Sequence, residues 1–196
     1  MIIGITGSFG SGKSTVARAF KKYTDGIIID ADKIARDLEK PNKTLWKKIV
    51  GEFGKKILKN NEIDRKKLAD IVFSDDRELK RLNKITHPYI IKEIKKRIRD
   101  SNREFMILDV PLLIEADILK MVDKLVVVKT NRKVLMKRLA KRYMKKEILK
   151  RIKSQLSLRN KIKLADYIVD NGKSLKDTEY RVRRIWEAIE IERIGE

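Results

Sequence analysis

Between an apolar run, Ile2-Ile3-Gly4-Ile5-Thr6, and a stretch with helical spacing, Thr15-Val16-Ala17-Arg18-Ala19-Phe20, the chain reads Gly7-Ser8-Phe9-Gly10-Ser11-Gly12-Lys13-Ser14. The segment satisfies G-x-x-x-x-G-K-[ST] and lies where a strand passes into a helix. Glycines at these positions let backbone N–H groups converge on phosphate oxygens, and the new helix turns its positive end toward them. Gly10, Ser11, Gly12, Lys13, Ser14 and Thr15 are therefore candidate triphosphate contacts. Lys13 reaches the β/γ-phosphates and the Ser14 hydroxyl ligates Mg²⁺ in such a loop. A purely structural glycine turn is the competing reading, and the strand before and helix after argue against it. The chain is expected to hold a nucleoside triphosphate.

Five short β-branched or apolar runs read as strands: Ile2–Thr6, Gly26–Asp30, Phe105–Asp109, Lys124–Lys129 and Tyr167–Asp170. Helical patterns fill the intervals, so the fold class is α/β, a parallel sheet with helices on both faces. Ligands bind such sheets at the carboxyl ends of the strands, where the loop lies. A crossover needs only about a dozen residues, yet more than 70 separate Asp30 from Phe105. The surplus predicts an all-helical insertion suited to a second substrate. Asn42 is expected to cap Leu45–Phe53 and Asp64 to cap Arg65–Phe73 after an Asn60-Asn61 turn. Ser74 is expected to cap a helix to Thr86, and Pro88 to start another reaching Asp100. Trp46, Ile49, Val50 and Phe53 then form one core stripe, and Ile90, Ile91, Ile94 and Ile98 another.

The formal charge is +21, and it is unevenly spread. Residues 129–163 hold 15 Lys/Arg against the single acid Glu147, a net +14. Such a block covers ligand phosphates or binds nucleic acid, while lysine-rich surface usage of a heat-adapted protein accounts for part of the excess. Leu135, Leu139 and Tyr143 repeat at i, i+4, i+8, as do Ile148, Ile152 and Leu156. Two amphipathic helices with a turn near Met144 would expose Arg138, Arg142 and Arg151, and such a hairpin can close over phosphates and exclude water. No apolar run approaches a membrane span, no charged leader precedes the strand at Ile2, and there is no cysteine. The expectation is a soluble cytoplasmic protein without disulfides, thiolate zinc or a cysteine nucleophile.

Asp30-Ala31-Asp32 ends the second strand. Two carboxylates two residues apart share a face while the backbone stays extended. One can take the proton of an attacking hydroxyl while the other holds a metal-bound water. Capping of the following helix is the alternative use of either residue, and one residue can do both. Asp109 closes the third strand as a second acidic motif would, but no acid follows it, which argues against a water-activating ATPase glutamate. Pro111-Leu112-Leu113-Ile114-Glu115 is too apolar for an ordinary surface loop and either enters the core or lines an extended ligand. His87, the only histidine, precedes Pro88, which places it at a helix break in either a structural or a functional role.

Taken together these residues resemble the dephospho-CoA kinase family over nearly the whole chain. Thr6 to Thr15 is similar to its phosphate loop, and Asp30-Ala31-Asp32-Lys33-Ile34-Ala35-Arg36 to its DAD segment. Thr86-His87-Pro88-Tyr89-Ile90 and Asp109 to Glu115 resemble its His-Pro and Pro-Leu-Leu-x-Glu segments. Arg151, Gln155 and Ala165-Asp166-Tyr167-Ile168-Val169-Asp170-Asn171-Gly172 match its closing signature. The resemblance implies a five-stranded P-loop kinase core (residues 1–31, 101–130 and 164–196), a helical CoA-binding insertion (32–100) and a basic helical lid (131–163). It implies transfer of the ATP γ-phosphate to the ribose 3′-hydroxyl of dephospho-CoA, with Mg²⁺ on Ser14 and, through water, Asp30 or Asp32. Asp32 then takes the base position beside Asp30, Lys13 and Arg138 assist transfer, and Arg142 and Asn171 join the nucleotide site. His87, Pro111, Leu112, Leu113 and Glu115 fall on the acceptor side. The partner is a small molecule, with no membrane and no specific nucleic acid, and the oligomeric state is open.

Two departures from the family pattern stand out. Ser8 occupies a position where glycine is frequent, which implies strain if φ there is positive. Leu158-Arg159-Asn160 replaces an acidic pair and makes the lid more basic, while Lys161 keeps the basic position. Another nucleotide kinase of the same fold and a basic nucleic-acid-binding ATPase are the alternatives. The size of the insertion and the Pro111–Glu115 loop count against the first. The second needs stacking aromatics in the basic block, where only Tyr143 stands.

Overall fold

The computed structural model describes residues 1–116 and 118–195, which separate into two compact units: residues 1–29 with 102–196, and residues 30–101. The first is built on a five-stranded parallel sheet. Its strands are β1 (Ile2–Gly7), β2 (Ile27–Asp30), β5 (Met106–Asp109), β6 (Lys124–Lys129) and β7 (Tyr167–Asp170), in spatial order β2-β5-β1-β6-β7. The β-branched runs read from the sequence are these strands to within a residue at each end. Register follows from alternation: Ile3 pairs with Ile107 and Lys124, and Ile5 with Asp109 and Val126.

Side chains alternate across each strand, so Ile3, Ile5, Ile107, Val126, Val128 and Val169 face one way. There they meet Val16, Ala17 and Phe20 of α1 (Lys13–Thr24) and Val182 and Ile189 of α9 (Leu175–Ile194). The opposite face is covered by the turn at 111–116, by Val122 after a 3₁₀ turn at Leu119–Met121, and by α8 (Leu158–Lys163). Gly4 on that face is closely packed: a Cβ there would lie 2.7 Å from Val122 and 2.8 Å from Leu113, so those side chains would have to shift. Besides α8, the basic segment forms α6 (Arg132–Leu139) and α7 (Lys145–Lys153). The pattern predicts two helices there; the third, of six residues, carries too few apolar positions to show a period.

The unit of residues 30–101 contains α2 (Ala31–Leu38), α3 (Thr44–Phe53), α4 (Arg65–Val72) and α5 (Asp76–Arg99). A hairpin of β3 (Leu58–Lys59) and β4 (Glu62–Ile63) interrupts them. Its two-residue strands are too short for any periodicity, though the Asn60-Asn61 turn was legible: both residues have positive φ, 51° and 63°, as a tight hairpin turn demands. Leu45, Ile49, Phe53, Ile57, Leu68 and Val72 form the core of this unit.

Two capping expectations change. Asn42 adopts a left-handed conformation at φ 67° and Lys43 precedes α3 without a side-chain cap. Asp75, not Ser74, caps α5 through Arg77 N, while Asp64 caps α4 as expected. The helix break at His87-Pro88 is absent: α5 runs unbroken for 24 residues with Pro88 inside. Proline removes a backbone donor and crowds the preceding turn. Here the ring is exposed, and Ile85 and Tyr89 on either side pack onto the unit's core, so tertiary packing overrides the local penalty.

Candidate active site

The phosphate loop follows β1 directly. Gly12 sits at φ 88° and ends the loop, and α1 begins at Lys13. A Cβ on Gly12 would lie 2.0 Å from Asn171 Nδ2, so both backbone angle and space require glycine here. Ser8 is not among the positive-φ residues, so the departure from glycine at that position carries no strain. Ser11 N donates to Ser8 O at 3.0 Å and closes the turn. The Lys13 stem is buried, and its Nζ lies 3.4 Å from Ser8 O and 3.5 Å from Gly7 O, folded back over the loop.

The loop is braced from both sides. Asn171, expected as a nucleotide contact, instead donates through Nδ2 to Ser11 O at 2.8 Å and accepts from Thr178 Oγ1 at 2.8 Å. Thr130 Oγ1 donates to the same Ser11 carbonyl at 3.0 Å. The Asn171 side chain thus supports the loop from β7 and α9. On the other side, Phe9 N donates to Gln155 Oε1 at 2.9 Å. The Phe9 ring packs edge-on to Tyr143 at 5.4 Å, and the Arg151 guanidinium covers both rings at 5.3 and 4.9 Å. Leu135, Leu139 and Ile148 complete this apolar cluster. The tip of the phosphate loop is therefore embedded in the basic helices, a contact signalled in the sequence only by a large apolar residue inside a glycine-rich turn.

Ser14 Oγ donates to Asp109 Oδ2 at 2.6 Å across 95 residues of sequence. Asp109 is buried at the end of β5, and the pair presents two hard oxygens beside Lys13. The position of Asp109 was visible as an acid closing a strand, but its tie to Ser14 was not. Arg138, exposed on α6, brings Nη1 to 3.7 Å from where a Gly12 Cβ would stand. Arg142 is exposed on the turn after α6.

The segment after Asp109 divides in two. Leu113 is fully buried over Gly4, in the core, where it has no surface to offer a ligand, while Pro111 and Leu112 remain partly exposed. Pro111 O accepts from Thr6 Oγ1 at 3.0 Å and from Lys161 Nζ at 2.9 Å. Glu115 pairs with Lys161 at 2.9 Å and accepts from Leu156 N at 2.8 Å.

Asp30, Asp32 and His87 are carried by the other unit. Asp30 is extended and caps α2, accepting from Lys33 N at 2.9 Å. The helix has already begun at Ala31, so Asp32 lies in its first turn, exposed, and the two carboxylates do not share a strand face as expected. His87 is half-buried on α5. Two open grooves flank Pro88 and Tyr89. One of about 550 Å³ is lined by Lys48, Arg81, Lys84 and Ile85. The other, about 510 Å³, is lined by Leu38, Ile91, Lys92, Glu93, Lys95, Lys96 and Arg99.

A family profile described as dephospho-CoA kinase matches residues 1–177. A dephospho-CoA kinase of Carboxydothermus hydrogenoformans is 42% identical over 190 residues, covering 94% of this chain and 92% of the relative. One of Aquifex aeolicus is 39% identical, covering 95% and 96%. Among solved structures, a Thermus thermophilus protein superposes with a TM-score of 0.79 at 27% identity, covering 98% and 97%. A dephospho-CoA kinase from Campylobacter jejuni does so at 0.66 and 30% identity, covering 96% of each chain. Shikimate kinase from Aquifex aeolicus, 18% identical with a TM-score of 0.57, shares the fold.

Proposed function

The chain belongs to the dephospho-CoA kinase family, and on that premise we propose how its residues carry the γ-phosphoryl group of ATP to the ribose 3′-hydroxyl of dephospho-CoA. The observation that carries the reading is the Ser14–Asp109 hydrogen bond of 2.6 Å at the foot of a braced phosphate loop. Phosphoryl transfer asks the protein for positioning and charge neutralisation more than for covalent chemistry. Backbone N–H groups from Gly10 to Thr15 cradle the β- and γ-phosphates, and Lys13 unfolds from the loop carbonyls onto them.

Ser14 and Asp109 fit Mg²⁺, which favours hard oxygen ligands and binds through one or two protein groups plus substrate phosphates. When bound, the ion neutralises charge on the phosphate oxygens. Asp109 thus supplies a carboxylate beside Ser14, in addition to the Asp30 or Asp32 expected to act through water; Asp30 also caps α2.

Asp32 stands two residues after the last residue of β2. Exposed in the first turn of α2, it accepts the proton of the 3′-hydroxyl as that oxygen attacks phosphorus. Arg138 and Arg142 place positive charge over the transferred group, and water exclusion by α6 and α7 favours transfer over hydrolysis. We propose His87, Pro111 and Leu112 as acceptor contacts. The grooves beside Pro88, lined by apolar side chains and by more basic than acidic ones, suit a ligand that joins a long apolar arm to phosphates.

ADP release measured with dephospho-CoA, AMP, CMP or no acceptor tests this. Turnover is expected with dephospho-CoA alone; equal rates without it would refute the acceptor assignment.

A further inference from the structure

Lys161 is the largest charged side chain completely buried in the protein, at 0% exposure. An ammonium has three donors, and each has an acceptor: Pro111 O at 2.9 Å, Glu115 Oε1 at 2.9 Å and Thr6 Oγ1 at 3.3 Å. The network closes on itself. Thr6 Oγ1 donates to the same Pro111 carbonyl, and Glu115 Oε1 also accepts from Leu156 N.

Stability does not explain such a site. A buried ion pair is often replaceable by packed apolar side chains at no cost, and what it supplies is a fixed register between the elements that carry it. Those elements are specific here. Thr6 is the last residue before Gly7 and the phosphate loop. Pro111 stands two residues beyond Asp109, the partner of Ser14. Leu156 follows Gln155, which holds Phe9 N of the loop, and Lys161 lies on α8 immediately after. The ammonium therefore sits where the base of the loop, the strand end bearing the metal carboxylate and the segment leaving the basic helices meet.

We infer that Lys161 and Glu115 are positioning residues for phosphoryl transfer, locking the loop, Asp109 and the exit of α7 into one register. Glu115 then acts through Lys161 and Leu156 rather than by touching the acceptor. This rests on the kinase reading above, and it assigns the effect of the pair to the nucleotide side of the reaction. A displacement of about 1 Å at such a distance from the chemistry is enough to cost a large part of the rate.

The test compares Glu115→Gln, Lys161→Met and the double variant Glu115→Leu/Lys161→Met. Thermal melting, separate KM values for ATP and dephospho-CoA, and titration with a non-hydrolysable ATP analogue are measured for each. For Glu115→Gln, kcat falls about tenfold and analogue affinity weakens severalfold, while KM for dephospho-CoA stays within about twofold. The double variant melts near the wild type, because no charge is left unpaired, yet turnover remains at least about tenfold low. Three results overturn the inference: a change confined to KM for dephospho-CoA, wild-type kinetics in folded variants, or recovery of turnover along with stability in the double variant. Should the wild type show no acceptor-dependent ADP release, the kinase reading fails by itself. The analogue titration still decides whether the pair positions the loop. If the double variant does not fold, Glu115→Gln alone carries the decision.

Discussion

Of the buried polar and charged side chains, Thr6, Ser11, Lys13, Thr24, Asp109, Lys161, Asn171 and Thr178 lie in the sheet unit and only Thr86 in residues 30–101. Around the phosphate loop most of these groups are paired: Asp109 with Ser14, Asn171 with the Ser11 carbonyl and Thr178, Lys161 with Pro111 O and Glu115, while Ser11 Oγ is buried with no hydrogen-bond partner among the described residues. The helical unit instead buries aliphatic and aromatic side chains and keeps most of its ion pairs at the surface, among them Arg77–Asp75, Arg81–Glu52 and Arg97–Glu93. Phosphates demand fixed donors at fixed distances, and a buried network supplies them without reorganisation during the reaction. A long, partly apolar acceptor demands area and accommodation, which packed helices with open grooves provide. One unit is preorganised around a charge; the other offers a surface to a shape.

The sharpest way to break this contrast is to remove the one residue of the helical unit proposed to take part in chemistry. Asp32→Asn keeps the side chain's size and the first turn of α2, but removes the proton acceptor. Turnover is expected to fall about 10²–10⁴-fold, the usual contribution of a general base. ATP affinity should barely change, since the nucleotide is held by the other unit. Rate measurements under saturating substrates, with analogue titration alongside, separate these quantities. Retention of most activity would return the role to Asp30 or to the phosphate oxygens themselves.

Within the sheet unit, Gly12→Ala tests preorganisation directly. The substitution strains a φ of 88° and pushes a methyl group to 2.0 Å from Asn171 Nδ2. We expect a penalty of about 2–4 kcal/mol, shared between lower melting temperature and weaker ATP binding. A variant that binds ATP normally would mean that the loop adapts to its ligand, and the contrast between the units would dissolve.

How much of this was legible beforehand divides along the same line. The strands, the loop and Asp109 announce themselves through β-branched runs and local spacing, because parallel strands buried on both faces have few compositional alternatives. Lys161 does not: it is one cation among many in a basic block, and only the fold shows that, among the described charged residues, it is the one at 0% exposure. The Ser14–Asp109 pair is equally silent, since nothing local links residues 95 apart. In the helical unit local rules gave the Asn60-Asn61 turn and the Asp64 cap. They failed at Pro88, where Ile85 and Tyr89 carry α5 through a residue that ordinarily ends a helix. They also failed at Asp30 and Asp32, because α2 starts one residue after β2 and the alternation of a strand stops there.

Pro88→Ala exploits that failure. The change restores a backbone donor inside α5, where proline costs roughly 3 kcal/mol relative to alanine. Added freedom in the unfolded chain and existing accommodation in the helix offset part of this. A gain of about 1–2 kcal/mol is expected, a rise of several degrees in the melting temperature for a chain of this size. Stabilisation with unchanged turnover would make the proline incidental to the grooves beside it. Stabilisation with a raised KM for dephospho-CoA would show that the local shape of α5 serves the acceptor.

The smallest effect is a pH dependence. Burial pushes the Glu39 carboxyl above its ordinary range; Asp32 adds to the shift, and Arg65 and Arg36 oppose it. A carboxyl whose folded pKa is raised favours its protonated form in the folded state, so folding takes up a proton at pH values between the two pKa values. Unfolded glutamate titrates near about 4.3. Stability contributed by this group is therefore greatest at and below that pH, and it declines as pH rises through the higher folded value. Glu39→Gln has no such proton to lose. Melting curves recorded from acid to neutral pH should show wild type losing stability relative to Glu39→Gln as the pH rises. A constant difference would mean that Arg65, at 2.6 Å, fully compensates the burial. The helical unit would then, at this one position, behave like the paired interior of its neighbour.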